Sequence, residues 1–486
     1  MRKPADALLN TNNLLKVFST SLNLALKLMS YLQPNNNCIF VSKLLRNFMK
    51  EPISGFSKLT KEEKIHWLTK TYLNDDPKAV EVLKQYWNKD EKLQQLHDEF
   101  TENTISNYYL PFGIAPNFLI NNELFAIPMA IEESSVIAAA SKAAKFWGSR
   151  GGFKTEVIDT VKVGQVHFIY KGSEEKLELF FNELEPKLRK AAAPITKNME
   201  QRGGGIKSIE LRERTTEVEN YYQLHCNFET VDSMGANFIN SCLEKFAEVL
   251  ENEASIWQDF NDEERNIEIV MSILSNYVPE CIVRAEVSCS LEDLSDDANF
   301  SGEHFAEKFL RAIKIAETEP FRAVTHNKGI MNGIDAVVLA TGNDFRAIEA
   351  GVHAYAAKDG QYSSLTHAKV EDGIFKFWIE VPLALGTVGG LTSLHPLVKL
   401  AMEMLGQPNA RKLMEIVAVA GLAQNFAAVK SLITTGIQKG HMKMHLMNIL
   451  NQHNATLEEK EKLIEYYKTN VVSHSDVAVQ LEKLRR

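Results

Sequence analysis

From Val161 to about Ser290, hydrophobic periodicity spells one order of elements, and that order constrains the fold more than any other feature of the chain. "VKVGQVHFIY" alternates as a strand, and "SEEKLELFFNELEPKLRKAAA" has helical period and charge. "GGGIKSIELRE" and "NYYQLHCNFETVD" read as two further strands, and "GANFINSCLEKFAEVLENEA" as a second helix. Either "RNIEIVMSIL" or "CIVRAEVSCS" supplies a last strand. A β-α-β-β-α-β order closes as a ferredoxin-like split arrangement. It is expected to be inserted in a larger domain, because the texture on both sides is different.

On the N-terminal side, "LTKEEKIHWLTKTYL" and "DPKAVEVLKQYW" are helical, residues 113–129 look extended, and "SSVIAAASKAAKFW" is a small-residue helix whose alanines admit a close backbone neighbour. The Gly-rich "WGSRGGF" marks a boundary. From about Gly302 the chain returns to helices: "GEHFAEKFLRAIKIAE", "DFRAIEAGVHAYAAK", "HPLVKLAMEMLG" and "ARKLMEIVAVAGLAQNFAAVKSLITTGI". Between them "KFWIEVPLALGTVGG" reads as a strand running into a glycine loop. Charged short helices after Gly440 form a peripheral appendage. The fold class is therefore α/β in the broad sense (α+β). A chain of 486 residues also exceeds the roughly 250–300 at which one core stops growing.

Composition narrows the function. A net charge of -9 argues against a nucleic-acid surface and an anionic membrane partner. Cys38, Cys226, Cys242, Cys281 and Cys289 show no CxxC pair and read as reduced thiols of a cytoplasmic protein. "LLKVFSTSLNLALKLMSYL" is interrupted by lysine, serine and asparagine, so it reads as an amphipathic helix, not a span of about 20 apolar residues. No cleavage site of the signal-peptide kind follows it, and Met49 offers an alternative start.

Several common chemistries lack their motifs. There is no GxGxxG after a buried strand, no GxxxxGK[ST] and no GxSxG. His441 and His445 stand four apart in "GHMKMHLMN", but Met442 occupies the place where a zinc protease needs glutamate, so no metal is expected. Two stretches remain. In "PMAIEESSVIAAAS", Glu132 and Glu133 sit where an apolar strand meets a helix start; one suits the helix dipole, the other a proton donor. "THNKGIMNGIDAVVLATGND" sets Lys328 and Asp344 around an apolar run. A buried ammonium needs a carboxylate beside it, and Asp344 is a candidate.

These stretches resemble the 3-hydroxy-3-methylglutaryl-CoA reductases of the second, soluble bacterial type, from about Gly55 onward. The residues that carry the likeness are "ENTISNYYLPFGIAPNFLIN", "IPMAIEESSVIAAASKAAKFW", "VDSMGANFINS", "FRAVTHNKGIMNGIDAVVLATGNDFRAIEAG", "GLAQNFAAVKSL" and "GIQKGHM". The resemblance implies a four-electron reduction of the thioester to mevalonate with release of CoA, using two nicotinamide cofactors. It implies Glu133, Lys328, Asp344 and His441 as the catalytic set, with Asp344 holding Lys328 charged and His441 protonating the CoA thiolate from a C-terminal flap. It implies Ser135, Arg322, Asn332 and Asn425 as substrate contacts, with Arg322 as the fork for the free carboxylate. Asp335 then reads as structural.

Cofactor contacts are implied at Asp232, Met234, Gly235 and Asn237 of "DSMGAN", where Ser233 replaces the usual alanine. Thr196 stands where NAD-preferring relatives carry an aspartate, with Lys197 and Arg202 beside it, which favours NADPH over NADH. Ser57 replaces an arginine that serves CoA in relatives, making Lys58 the substitute, and "ENVIG" of the dimer contact is here "ENTIS". The implied layout is an N-terminal extension (1–54), a large catalytic domain (55–153 and 277–437), a small nucleotide-binding domain (154–276) and a flap (438–486). A homodimer with sites shared across its interface is expected, with higher assemblies of dimers as an option. Two alternatives stay open: the same site running mevalonate oxidation, and a non-catalytic CoA-ester-binding protein.

Overall fold

The computed structural model describes residues 52–214, 216, 218–295, 300–434 and 446–486. The expected N-terminal amphipathic helix, Cys38, His441 and His445 lie outside the described residues. The chain divides into two compact units, one up to Tyr109 and one from Leu110 to Arg486, whereas the expected first boundary falls at 54.

In the first unit, α1 (Lys61–Tyr72), α2 (Pro77–Gln85) and α3 (Glu91–Asp98) each start at a side-chain cap, from Thr60, Asp76 and Asp90. Lys61 bonds Asp98 at 2.8 Å and lies over the Trp87 ring, joining the start of α1 to the end of α3. In "ENTIS" the Ser106 hydroxyl donates to the Leu83 carbonyl at 2.6 Å, so the departure from glycine is absorbed within the unit.

The second unit opens with a hairpin of β1 (Phe112–Ile120) and β2 (Glu123–Ala130), turned at Asn121 and Asn122, both with positive φ. α4 (Val136–Gly148) follows. The βαββαβ insert then appears as read: β4 (Lys162–Ile169), α5 (Glu174–Glu200), β5 (Gly205–Glu213), β6 (Tyr221–Glu229), α6 (Ala236–Ile256) and β7 (Glu268–Ser275). Its sheet order is β5-β6-β4-β7, all antiparallel, which is ferredoxin-like topology. Leu177, Phe180, Leu184 and Leu188 of α5 and Ile239, Leu243, Phe246 and Leu250 of α6 close over Phe168, Leu224, Cys226 and Phe228 to form the core of the insert.

The fourth strand is thus "RNIEIVMSIL". The other candidate is β8 (Ile282–Ser290), which joins a second sheet in the order β3-β8-β10-β9, with β3 at Lys154–Val157, β9 at Thr366–Glu371 and β10 at Ile374–Pro382. β3 lies inside the expected small domain by number, yet it pairs with β8. α7 (Gly302–Thr318) packs on this sheet, α8 (Pro320–Ala340) on the β2 strand, α9 (Phe345–Ala356) on β10, α10 (Pro396–Met404) on β2 and α8, and α11 (Ala410–Ile433) on both the sheet and α8.

α11 is apolar enough to cross a membrane by composition, but most of that window is buried in the core. Its closest neighbour is α8. A Cβ on Gly333 would stand 2.4 Å from the Ala420 carbonyl oxygen, so only glycine lets the two backbones meet there. The helices after residue 446 share a small core of their own, built from Leu446, Ile449, Leu450, Leu463, Val477 and Leu481 among others.

Candidate active site

The site is centred on α8. Lys328 and Asn332 stand one turn apart, hence on one face of the helix. The strand β2 ends beside that face and hands over to α4 through residues 131–135, where Ser135 takes a left-handed φ of 76°. This turn presents Glu133 to α8. Lys328 Nζ donates to Glu133 Oε2 at 2.5 Å, and Asn332 Nδ2 donates to the same oxygen at 3.3 Å. The side chains of Lys328 and Glu133 are 59% and 38% exposed. A pair so open to solvent contributes at most about 1 kcal/mol to folding. The fold does not need it.

Asp344 is elsewhere, which corrects the expectation that it holds Lys328 within the chain. Lys328 precedes the end of α8 by twelve residues, about 18 Å at 1.5 Å per residue. Asp344 follows that end and caps α9, accepting from Arg346 N at 3.1 Å and Ala347 N at 3.3 Å. Its carboxylate also takes Arg346 Nε at 3.0 Å and Nη2 at 3.1 Å. The Arg346 guanidinium, assisted by these amides, holds the Asp344 carboxyl below its ordinary range.

Arg322 and Asn425 lie at the other end of α8. Arg322 is half-buried in the first turn, with Nη2 3.5 Å from His326 Nδ1, and burial pulls its pKa down. Asn425, 1% exposed on α11, accepts from Thr366 Oγ1 at 3.0 Å. Asp335 sits two turns beyond Lys328 on the same face. Its Oδ1 is buried without a partner, and burial together with the Glu349 carboxyl raises its pKa to about 8. Sequence patterns mark neither His326 and Thr366 nor Glu349 as the partner of Asp335.

The cofactor candidates divide. Asp232 Oδ1 accepts from Ala410 N at 2.8 Å, capping α11, and its carbonyl accepts from Thr387 N at 2.8 Å. A Cβ on Gly386 would lie 2.5 Å from Met234 N, so the "GTVGG" loop rests directly on the "DSMG" turn. Ser233 Oγ accepts from Gly235 N at 3.0 Å. Gly235, at φ 92°, begins α6 with no side-chain cap, and Asn237 is exposed in the first turn.

Thr196 is a correction. It is 1% exposed and donates to the Ala193 carbonyl, because the spacing Leu184, Leu188, Ala192, Thr196 places it on the core face of α5. Lys197, one residue on, and Arg202 are exposed. Lys58 is exposed too, in the first unit. Cys226, Cys242, Cys281 and Cys289 are free thiols, and among the described residues no cluster of three His, Cys, Asp or Glu side chains could hold a metal.

An exposed lysine–carboxyl–amide cluster on a buried helix, in one unit with a ferredoxin-like α+β insert, suits a reducing enzyme that polarises a carbonyl. Comparison with known proteins makes that specific. The profile of the hydroxymethylglutaryl-coenzyme A reductase family matches residues 61–446. The 3-hydroxy-3-methylglutaryl-coenzyme A reductase of Archaeoglobus fulgidus is 37% identical over 451 residues, 92% of this chain and 98% of the relative. A probable reductase of the same name from Borreliella burgdorferi is 34% identical over 444 residues, covering 90% of this chain and 98% of its own.

Among solved structures, the Streptococcus pneumoniae reductase superposes with a TM-score of 0.66 at 32% identity, covering 89% of this chain and 100% of that one. The class II enzyme of the same organism, bound to NADPH in open conformations, gives 0.65 at 33% identity over 79% and 100%. The chain belongs to the hydroxymethylglutaryl-coenzyme A reductase family.

Proposed function

We propose that the chain reduces 3-hydroxy-3-methylglutaryl-CoA to mevalonate and CoA with NADPH, as a soluble cytoplasmic homodimer whose sites draw on both copies. The observation that carries the reading is the Glu133–Lys328–Asn332 cluster, an ammonium, a carboxyl and an amide that meet on an exposed face and that stability does not require.

The reduced nicotinamide supplies hydride to the thioester carbonyl and then to the aldehyde. Lys328 neutralises the charge that develops on oxygen at each addition. Glu133, hydrogen-bonded to Lys328, stands where it can return a proton to that oxygen, and Asn332 fixes which of its oxygens faces the lysine. Arg322 offers its remaining donors to the free carboxylate of the acyl group. Ser135 supports the turn that aims Glu133. Asp344 of a second copy completes the charge network, and His441 protonates the departing thiolate.

The insert fits a dinucleotide. The uncapped first turn of α6, opened by Gly235, has free amides for a pyrophosphate, with Met234 and Asn237 on either side. Asp232 acts by holding this turn against α11. Lys197 and Arg202, both exposed just before the Gly203–Gly205 turn, serve as cations for a 2′-phosphate, which favours NADPH over NADH.

The test is loss of reduced-nicotinamide absorbance dependent on 3-hydroxy-3-methylglutaryl-CoA. Absence of a signal with both NADPH and NADH overturns the reading.

A further inference from the structure

At the heart of "THNKG", His326 is a buried polar residue that the proposed mechanism leaves without a task. It is 2% exposed, on α8 between Arg322 and Lys328. Its two ring nitrogens face different partners: Nδ1 lies 3.5 Å from Arg322 Nη2, and Nε2 lies 2.6 Å from Thr366 Oγ1. The Thr366 hydroxyl donates to Asn425 Oδ1 at 3.0 Å, and Asn425 Nδ2 returns to the His326 carbonyl at 3.4 Å.

Donor counting gives this circuit one direction. A guanidinium only donates, so Nδ1 must accept. The proton is then on Nε2, which donates to Thr366, and the single hydroxyl proton of Thr366 is left for Asn425. Burial, then Arg322, then His367 push the His326 pKa down to about 3, which agrees with a ring that stays neutral. A protonated ring would set an N–H against the guanidinium.

Three elements meet in the circuit: α8, the start of β9 and α11. Arg322 and Asn425 are the two substrate contacts it joins. We infer that His326 is a positioning residue, which as the Nε2–H tautomer orients the Arg322 guanidinium toward the free carboxylate of the acyl substrate and ties it to Asn425 through Thr366. This rests on the reductase reading, in which Arg322 takes that carboxylate.

The experiment compares His326→Leu, His326→Gln and Thr366→Val with the wild type, in full-length enzyme. Each variant is measured for KM and kcat, for inhibition by free 3-hydroxy-3-methylglutarate, and for inhibition by CoA. Losing the orienting bond is expected to raise KM for the acyl-CoA and the inhibition constant of 3-hydroxy-3-methylglutarate roughly tenfold, with kcat reduced much less. Inhibition by CoA, which lacks the carboxylate, stays unchanged. Gln keeps one acceptor and one donor and recovers most of the affinity, while Thr366→Val reproduces part of the loss.

Equal weakening toward 3-hydroxy-3-methylglutarate and CoA, or failure of Gln to recover binding in a folded protein, assigns His326 to packing alone and overturns the inference. So does an unchanged KM in His326→Leu. Should the wild type show no reductase activity, that defeats the proposed function separately. Calorimetric binding of 3-hydroxy-3-methylglutarate to wild type and His326→Leu then decides the role of the histidine, with equal affinity refuting it.

Discussion

Asp335→Asn isolates one buried proton, and its effect can be worked from the structure. Asp335 lies on α8 facing α9, with Oδ1 buried and unpartnered and Glu349 as the ionisable neighbour that acts on it. Burial first, and the Glu349 carboxyl second, raise its pKa from 3.8 to about 8. Folded protein therefore keeps this proton through a range in which unfolded chain has lost it. The folded pKa is the higher one, so the stabilisation is complete below the unfolded value. It declines as pH rises through that window and is gone above the folded value. The slope is at most about 1.4 kcal/mol of unfolding free energy lost per pH unit, with a flat region above about pH 8.

Asparagine has the shape of the protonated acid, donates to Glu349 and does not titrate, so the variant lacks the slope. Between about pH 5 and pH 7 the variant should gain roughly 3 kcal/mol on the wild type, as an upper figure. Urea denaturation followed by tryptophan fluorescence at several pH values within that range gives the difference directly. A gap between variant and wild type that stays constant with pH would refute the assignment of the proton to Asp335.

Lys328→Ala should abolish turnover while moving the thermal midpoint little, because an exposed ion pair contributes at most about 1 kcal/mol; melting curves and the reduced-nicotinamide assay check both halves. Lys328→Ala and Asp344→Ala, each inactive alone, should recover about a quarter of wild-type activity when denatured together and refolded. Random pairing makes half the dimers mixed, with one of two sites intact. Complete inactivity of the mixture would place both residues in one copy. Gly333→Ala would put a Cβ 2.4 Å from the Ala420 carbonyl oxygen, and the forced separation of α8 and α11 should lower stability by roughly 1–3 kcal/mol, read from the urea midpoint.

Local patterns carried the fold far. The insert was legible because its strands alternate and its helices hold a 3.6-residue period, both local signals, and the choice between two candidate fourth strands is the one point that needed three dimensions. β8 and β7 look alike in sequence; pairing with β3 and β10 separates them, and those partners lie far along the chain. Thr196 is a different case. The spacing Leu184, Leu188, Ala192, Thr196 spells a core face, and that local periodicity outweighs the motif position that the resemblance assigns to Thr196. The Glu133–Lys328 pair spans 195 residues and came from the resemblance. The links of the His326 circuit to Thr366 and Asn425 span 40 and 99 residues. No local pattern marks such contacts, because a buried histidine reads the same whether it packs or positions.

Under the proposed mechanism, the displacement of Asp344 from Lys328 matches what the reaction asks of an ammonium. In water two charges 4 Å apart interact by about 1 kcal/mol, and near a protein surface with reduced dielectric by about 4 kcal/mol. Lys328 can stabilise an oxyanion strongly only when its face of α8 is covered, yet that face carries Phe321 at 86% exposure and Val324 at 53%. Whatever covers it removes water from the ammonium and must bring a carboxylate in compensation. Asp344 suits that task because of the features that keep it from Lys328 in its own chain. It stands exposed at the tip of α9, fixed by two backbone amides and Arg346, and held ionised. In the proposed dimer a carboxylate presented on a rigid helix end would meet the other copy's lysine, and pairing of two copies would couple exclusion of water from the site to its completion.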